Sequence, residues 1–255
     1  MASTFDWRNI PAAIWRGRSG TLRPVTRPDP VRLEDLLGID VQKAKILQNT
    51  ERFLRGEPCN HVLLWGSRGT GKSSIVKALL NEYAPRGLRV IEVDKDDLQD
   101  LPDIVDDIRE RSQRFIVYCD DLSFEDGENQ YKHLKSVLEG SLELPPENVR
   151  LYATSNRRHL VPEYMKDNEQ SQVVGREIHH GDVVEEKISL SDRFGLALSF
   201  YPISEPQYFE IVDHLFGEVE DRDQLHVRAR RFSMEKGIRS GRTARQFYNQ
   251  FVGEF

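Results

Sequence analysis

The segment Gly66-Ser-Arg-Gly-Thr-Gly71-Lys72-Ser73 constrains this chain more than any other stretch. It satisfies G-x-x-x-x-G-K-[ST] at every fixed position, follows the apolar run His61–Trp65 and opens a helical pattern from about Lys72 to Tyr83. A strand, a glycine-rich turn and a helix in that order aim several backbone N–H groups and a helix N-terminus at one point, an arrangement that binds phosphate. In this pattern Lys72 reaches the terminal phosphates and the Ser73 hydroxyl ligates Mg²⁺. Gly66, Arg68, Gly69, Thr70, Gly71 and Ser74 complete the expected cradle.

About fifty residues on, Phe115-Ile-Val-Tyr-Cys-Asp120-Asp121 reads as a hydrophobic strand ending in two acids, the pattern of a Walker B strand. Asp120 is expected to hold the Mg²⁺ shell through water. Asp121 stands where a general base polarises an attacking water.

Both motifs sit in an alternating pattern. A helix is expected from Asp40, as N-cap, to about Arg55, with Ala44, Leu47 and Leu54 on its apolar face. Strands are expected at 61–65, 88–93, 115–119, 149–153 and 198–201, with helices over 72–83, 101–109 and 129–140. Apolar strands alternating with helices imply a five-stranded parallel sheet covered on both faces, an α/β fold. After Pro202 the pattern is helical only, over 204–216, 223–236 and 243–251. The chain therefore divides into an extended basic arm (1–31), an α/β core (32–203) and a small helical lid (204–255).

These residues resemble the AAA+ ATPases, P-loop proteins with such a core and lid, and the resemblance runs over roughly 31–251. Arg32-Leu-Glu-Asp-Leu-Leu-Gly-Ile39-Asp is similar to the segment that cups adenine in that superfamily, which implies base contacts from Leu37, Gly38 and Ile39. Leu151-Tyr-Ala-Thr-Ser-Asn156 is similar to the sensor 1 strand, whose polar residue orients the lytic water; Asn156 is the first choice, with Ser155 and Thr154 as alternates. Leu190-Ser-Asp-Arg193-Phe-Gly resembles the arginine-finger box, in which an arginine reaches a neighbouring subunit's nucleotide. Gly241-Arg242-Thr-Ala-Arg245-Gln-Phe resembles sensor 2 of the lid, with Arg245 as the contact and Arg242 second. Three stretches, Cys119–Glu125, Ala153–Leu160 and Glu185–Gly195, resemble a narrower bacterial family, DUF815, assigned as ATP-binding AAA+ proteins of unknown function. The resemblance implies ATP and Mg²⁺ as cofactors and a homo-oligomer, ring or filament, acting on a protein or nucleic-acid client.

Two features bear on mechanism. Most active AAA+ proteins end Walker B in Asp-Glu, whereas here the pair is Asp-Asp, which retracts the second carboxylate by about 1.5 Å. An error of that size can cost ~100-fold in rate. The backbone compensates, or Glu125 serves, or hydrolysis is slow and the protein is an ATP-gated scaffold or switch. Secondly, an arginine acting in trans contributes on the order of 10³–10⁵ in related phosphoryl transfers, so activity would require assembly.

Charge limits the partners. Lys plus Arg number 36 against 42 acids in 255 residues, a net charge of -6, so bulk attraction to nucleic acid or an anionic membrane is not implied. Residues 1–32 nevertheless carry six arginines and 222–245 carry eight basic residues, while 92–128 carry 14 acids. Trp7 and Trp15 among the arginines of the arm suggest a stacking site for single-stranded nucleic acid, as a helicase loader would need, or packing on the chain's own core or a neighbouring subunit. No apolar run approaches the ~20 residues of a membrane span, and no secretory leader is read. With two cysteines, Cys59 and Cys119, no disulfide or zinc framework is expected, and a reducing cytoplasm is the expected location. His179-His180 has no third ligand at helical spacing and reads as part of a polar loop over 162–187. Met165, Met234, Phe247, Tyr248 and Phe251 read as lid packing.

Overall fold

The computed structural model describes residues 5–124, 131–139, 144–158, 160 and 190–255. Glu125, His179 and His180 lie outside these residues, as does the 162–187 stretch. Its centre is a sheet of seven strands: β1 (Ala12–Arg16), β2 (Thr21–Pro24), β3 (Val62–Gly66), β4 (Leu88–Glu92), β5 (Arg114–Cys119), β6 (Val149–Ser155) and β7 (Leu196–Phe200). They lie in the order β2-β1-β4-β5-β6-β3-β7. Every pairing is parallel except β1 with β2.

The interior strands are apolar on both faces because both faces are covered. On β5, Phe115, Val117 and Cys119 enter the cluster beneath α3 (Leu101–Ile108) and α4 (Tyr131–Glu139). Its alternate residues Ile116 and Tyr118 enter the opposite cluster, with α1 (Asp40–Arg55) and α2 (Lys72–Tyr83). The helices α5 (Glu205–Phe216), α6 (Arg222–Lys236) and α7 (Gly241–Phe251) follow, and they bury Tyr208, Val212, Leu225, Ala229 and Phe247 in a third cluster of their own. Each starts at a side-chain cap, from Ser204, Asp221 and Ser240 respectively, which satisfies N–H groups the helix cannot.

Several expectations are corrected. The sheet has seven strands rather than five, because the segment read as an extended arm supplies a hairpin whose first strand pairs along β4. Its prolines and arginines disguised it; Arg23 and Pro24 are tolerated because β2 is an edge strand, where a missing N–H costs no ladder bond. The tryptophans of this segment are used inside the chain. Trp7 is 4% exposed and meets Phe115 edge-on, while Trp15 donates its indole N–H to Asp100 at 2.8 Å. Arg89, itself buried, donates to the backbone carbonyls of Trp7 and Arg8, at 2.6 and 3.1 Å, which holds the segment down.

The α1 helix is turned somewhat from the face expected: Leu47 and Leu54 pack half-buried against the core, but Ala44 is exposed, the fully buried positions are Ile46, Asn49, Thr50 and Phe53, and Ile39 rather than Asp40 is the N-cap. The polar pair is satisfied inside, since Asn49 donates to Asn60 O and Thr50 bonds the Tyr152 hydroxyl at 2.9 Å, which apolar periodicity cannot reveal. In the lid Phe247 is buried as expected, but Met234 is 68% exposed.

Candidate nucleotide and metal site

The functional residues collect where β3, β5 and β6 end. The chain leaves β3 through Gly66 at φ +130, where any Cβ would stand 2.0 Å from the Phe200 carbonyl oxygen of β7. Only glycine fits that turn. The loop then reaches Gly71, left-handed at φ 98, which serves as the N-cap of α2 and directs the first N–H groups of that helix outward.

A cleft of about 820 Å³ opens over this loop. Its size is that of an ordinary small-molecule site. Arg68, Gly69, Thr70, Gly71, Lys72, Ser73 and Ser74 line it from the loop, Asp120 and Asp121 from the end of β5, and Thr154 and Asn156 from the end of β6. Leu36, Leu37 and Ile39 line its apolar end together with Ile203, Ile211 and Leu215. Arg242 and Arg245 enter from α7. Most of the residues read from the sequence are thus brought together. Gly38, at φ 75, does not line the cleft, and a Cβ there would stand 3.6 Å from Gln207 Nε2. Gly66 instead borders a second cleft with Trp65, Asn156, Arg158 and Tyr201. Arg193, in the turn before β7, does not line this cleft.

The apolar end is fixed by contacts that motifs do not show. Lys43 donates to the carbonyls of Leu33 and Leu36 at 3.2 and 2.9 Å, and Asn81 of α2 donates to the carbonyls of Asp29 and Val31, both at 2.7 Å. His214 of α5 pairs with Asp35 at 3.2 Å, joining lid to core at the cleft. Asp29 and His214 belong to no contiguous motif, and Asp35, although it lies within the 32–40 segment, carries no sign there of a partner in the lid.

At the polar end one connected array runs through the acids. The Lys72 ammonium donates to Gly66 O and Ser67 O, both at 2.8 Å, and to Asn156 Oδ1 at 3.3 Å. The amide nitrogen of Asn156 donates to Asp121 Oδ1 at 2.5 Å. Asp120 Oδ1 accepts from three hydroxyls: Ser73 at 2.8 Å, Tyr118 at 2.7 Å and Thr154 at 2.5 Å. Burial works to raise the Asp120 pKa, but these three donors outweigh it and hold the carboxyl below its ordinary range. Burial likewise lowers Lys72, with Asp121 and Asp120 opposing it. Glu92, one strand over, is raised by burial and by the charge of Asp120.

The donor set suits Mg²⁺. A hydroxyl and a carboxylate 2.8 Å apart supply hard oxygen ligands, and this ion keeps most of its waters while taking one or two protein oxygens. Ser73 and Asp120 would hold it, and it would neutralise charge on the phosphate oxygens.

A sheet with its phosphate loop after β3, its acids after β5 and a three-helix lid lining the cleft defines a P-loop α/β fold, the arrangement that the resemblance to AAA+ proteins implies. The chain belongs to the DUF815 family, described as a protein of unknown function, whose model matches residues 8–255. Among solved structures it resembles the replication initiator DnaA bound to AMPPCP and single-stranded DNA, with a TM-score of 0.56, 18% identity, and coverage of 88% of this chain and 65% of that one. It also resembles a point mutant of Thermotoga maritima RuvB, with a TM-score of 0.52, 15% identity, and coverage of 87% and 73%. These likenesses concern the fold. Curated relatives match over shorter stretches: the replication factor C large subunit of Staphylothermus marinus is 36% identical over 76 residues, and the 26S proteasome regulatory subunit 6B homolog of Schizosaccharomyces pombe is 39% identical over 79. Those stretches are 29% and 28% of this chain but only 17% and 20% of the two relatives. Among the described residues no helix is long and apolar enough to cross a membrane.

Proposed function

We propose that this protein is an oligomeric ATPase that binds Mg-ATP in the cleft and hydrolyses it at a subunit interface, coupling turnover to the remodelling or loading of a macromolecular partner in the cytoplasm. One observation carries the reading: Lys72, Asn156 and Asp121 form a continuous hydrogen-bonded chain beside the Ser73–Asp120 pair. In such a chain Lys72 binds the terminal phosphates, Asp121 takes a proton from water, and Asn156 orients both. Leu37, Ile39 and the lid isoleucines take the base. Arg242 and Arg245 add positive charge from the lid, and Arg193 is assigned to a neighbour's nucleotide. The organisation assigned is a β-hairpin leader, a core to about residue 203 and the lid.

ATP hydrolysis measured from nanomolar to tens of micromolar protein, for the parent, Arg193→Ala and Asp121→Ala, tests this. A rate per subunit that rises with concentration and collapses in both variants is the expected result. Flat, near-zero turnover with ATP still bound favours a second reading, a nucleotide-gated scaffold, which the Asp-Asp pair motivates. A DNA-linked loader is disfavoured by the internal use of Trp7 and Trp15.

A further inference from the structure

The second Walker B acid departs from the usual glutamate, and the backbone around it departs from an ordinary strand end. Asp121 has φ +51, a left-handed conformation that few non-glycine residues adopt. Two N–H groups turn there onto one residue: Asp121 N donates to Thr154 Oγ1 at 2.9 Å, and Leu122 N donates to the Thr154 carbonyl at 2.7 Å. The same Thr154 hydroxyl donates its only proton to Asp120 Oδ1. A hydroxyl has one donor and two acceptor positions, so this one can serve both acids at once. Thr154 is 2% exposed and sits on β6, whose Ala153 pairs with Cys119, so its height is set by the sheet.

We propose that Thr154 is a positioning residue for both acids: its hydroxyl orients the metal-binding carboxylate of Asp120 and pins Asp121 in left-handed backbone, and this turn is why an aspartate stands at position 121. Aspartate enters the left-handed region more readily than glutamate. The turn re-aims the peptide so that the shorter side chain meets Asn156. Asp-Asp is thus a matched geometry rather than a weakened Asp-Glu. This role differs from orienting the lytic water, which stays with Asn156; the inference rests on the hydrolytic reading above for its rate predictions, but not for its metal-binding one.

The test compares the parent with Thr154→Val, Thr154→Ser and Asp121→Glu by steady-state ATP hydrolysis, by affinity for a fluorescent ATP analogue, and by Mn²⁺ binding to the complex with a non-hydrolysable ATP analogue. Thr154→Val should lose roughly 10- to 100-fold in kcat, as misplacement of about 1 Å does, with nucleotide affinity little changed. Its Mn²⁺ affinity should fall several-fold, and Thr154→Ser should restore both. Asp121→Glu should turn over more slowly than the parent. A Glu variant as fast as the parent or faster, or an unchanged Mn²⁺ affinity in Thr154→Val, overturns the assignment. If the parent itself does not hydrolyse ATP, the hydrolytic reading fails separately, and the Mn²⁺ series still decides the role of Thr154.

Discussion

Replacing His61 should expose a pH dependence of folding that the structure predicts in both sign and size. His61 lies at the root of β3, the strand that delivers the phosphate loop, and its Nδ1 accepts the Leu151 N–H at 2.9 Å. Burial, with the nearby Arg150 charge, lowers its pKa from 6.5 to about 4. The folded state therefore keeps the ring neutral while the unfolded chain takes up a proton below about pH 6.5. Stability from this group is complete above that pH and is lost as pH falls toward 4, by up to ~1.4 kcal/mol per pH unit. Between pH 7 and 4.5 the loss integrates to about 2 kcal/mol. Other groups titrate in the same range, so the quantity to measure is the difference between parent and His61→Asn, which cannot take up a proton. Urea unfolding at several pH values should show the parent's advantage over the variant shrinking by about 2 kcal/mol across that window. A difference that stays constant to within about 0.5 kcal/mol would refute a neutral, buried His61.

Gly66→Ala should cost about 3 kcal/mol or more, seen as a fall in Tm of roughly 6–12 °C, because the added methyl meets a backbone oxygen that cannot retreat. Lys72→Ala should weaken ATP binding by roughly 10- to 100-fold in equilibrium titrations while the fold, read by circular dichroism, persists. Arg245→Ala and Arg242→Ala should each weaken binding of ATP more than of ADP if the lid contacts the terminal phosphate; equal losses for both nucleotides would reassign them to the ribose or base end. Tyr118→Phe removes one of three donors to Asp120, and the Mg²⁺ concentration needed for tight ATP binding should rise a few-fold.

The parts of the site legible in sequence were those carried by contiguous residues. Gly66–Ser73 encodes a turn, a helix start and its ligands within eight positions, and Phe115–Asp121 encodes a buried strand and the acids at its end. The two come together because parallel strands put their C-terminal ends on one side of the sheet. What sequence did not show depends on lateral register. Thr154 reaches Asp120 only because β5 and β6 are aligned residue for residue, and nothing in either strand announces that alignment; Tyr118 reaches it from the same strand, two residues back. Buried polar residues defeated periodicity in α1, where Asn49 and Thr50 occupy the inner face. The hairpin was missed because Arg and Pro mark loops far more often than edge strands, and the partner that makes β1 a strand lies more than seventy residues away.

That hairpin also covers what would otherwise be an edge of the sheet. Without β1, strand β4 would present an open row of N–H and C=O groups beside Leu88, Val90 and Ile91, a template on which a second chain could pair. The hairpin takes that position and offers the solvent a four-residue edge carrying Arg23 and Pro24 instead. Asp97 and Asp100 hold it there, accepting from Gly17 N and the Trp15 indole. Shortening the protein past residue 24 would therefore turn a guarded border into an adhesive one, and self-association would be the first property to change.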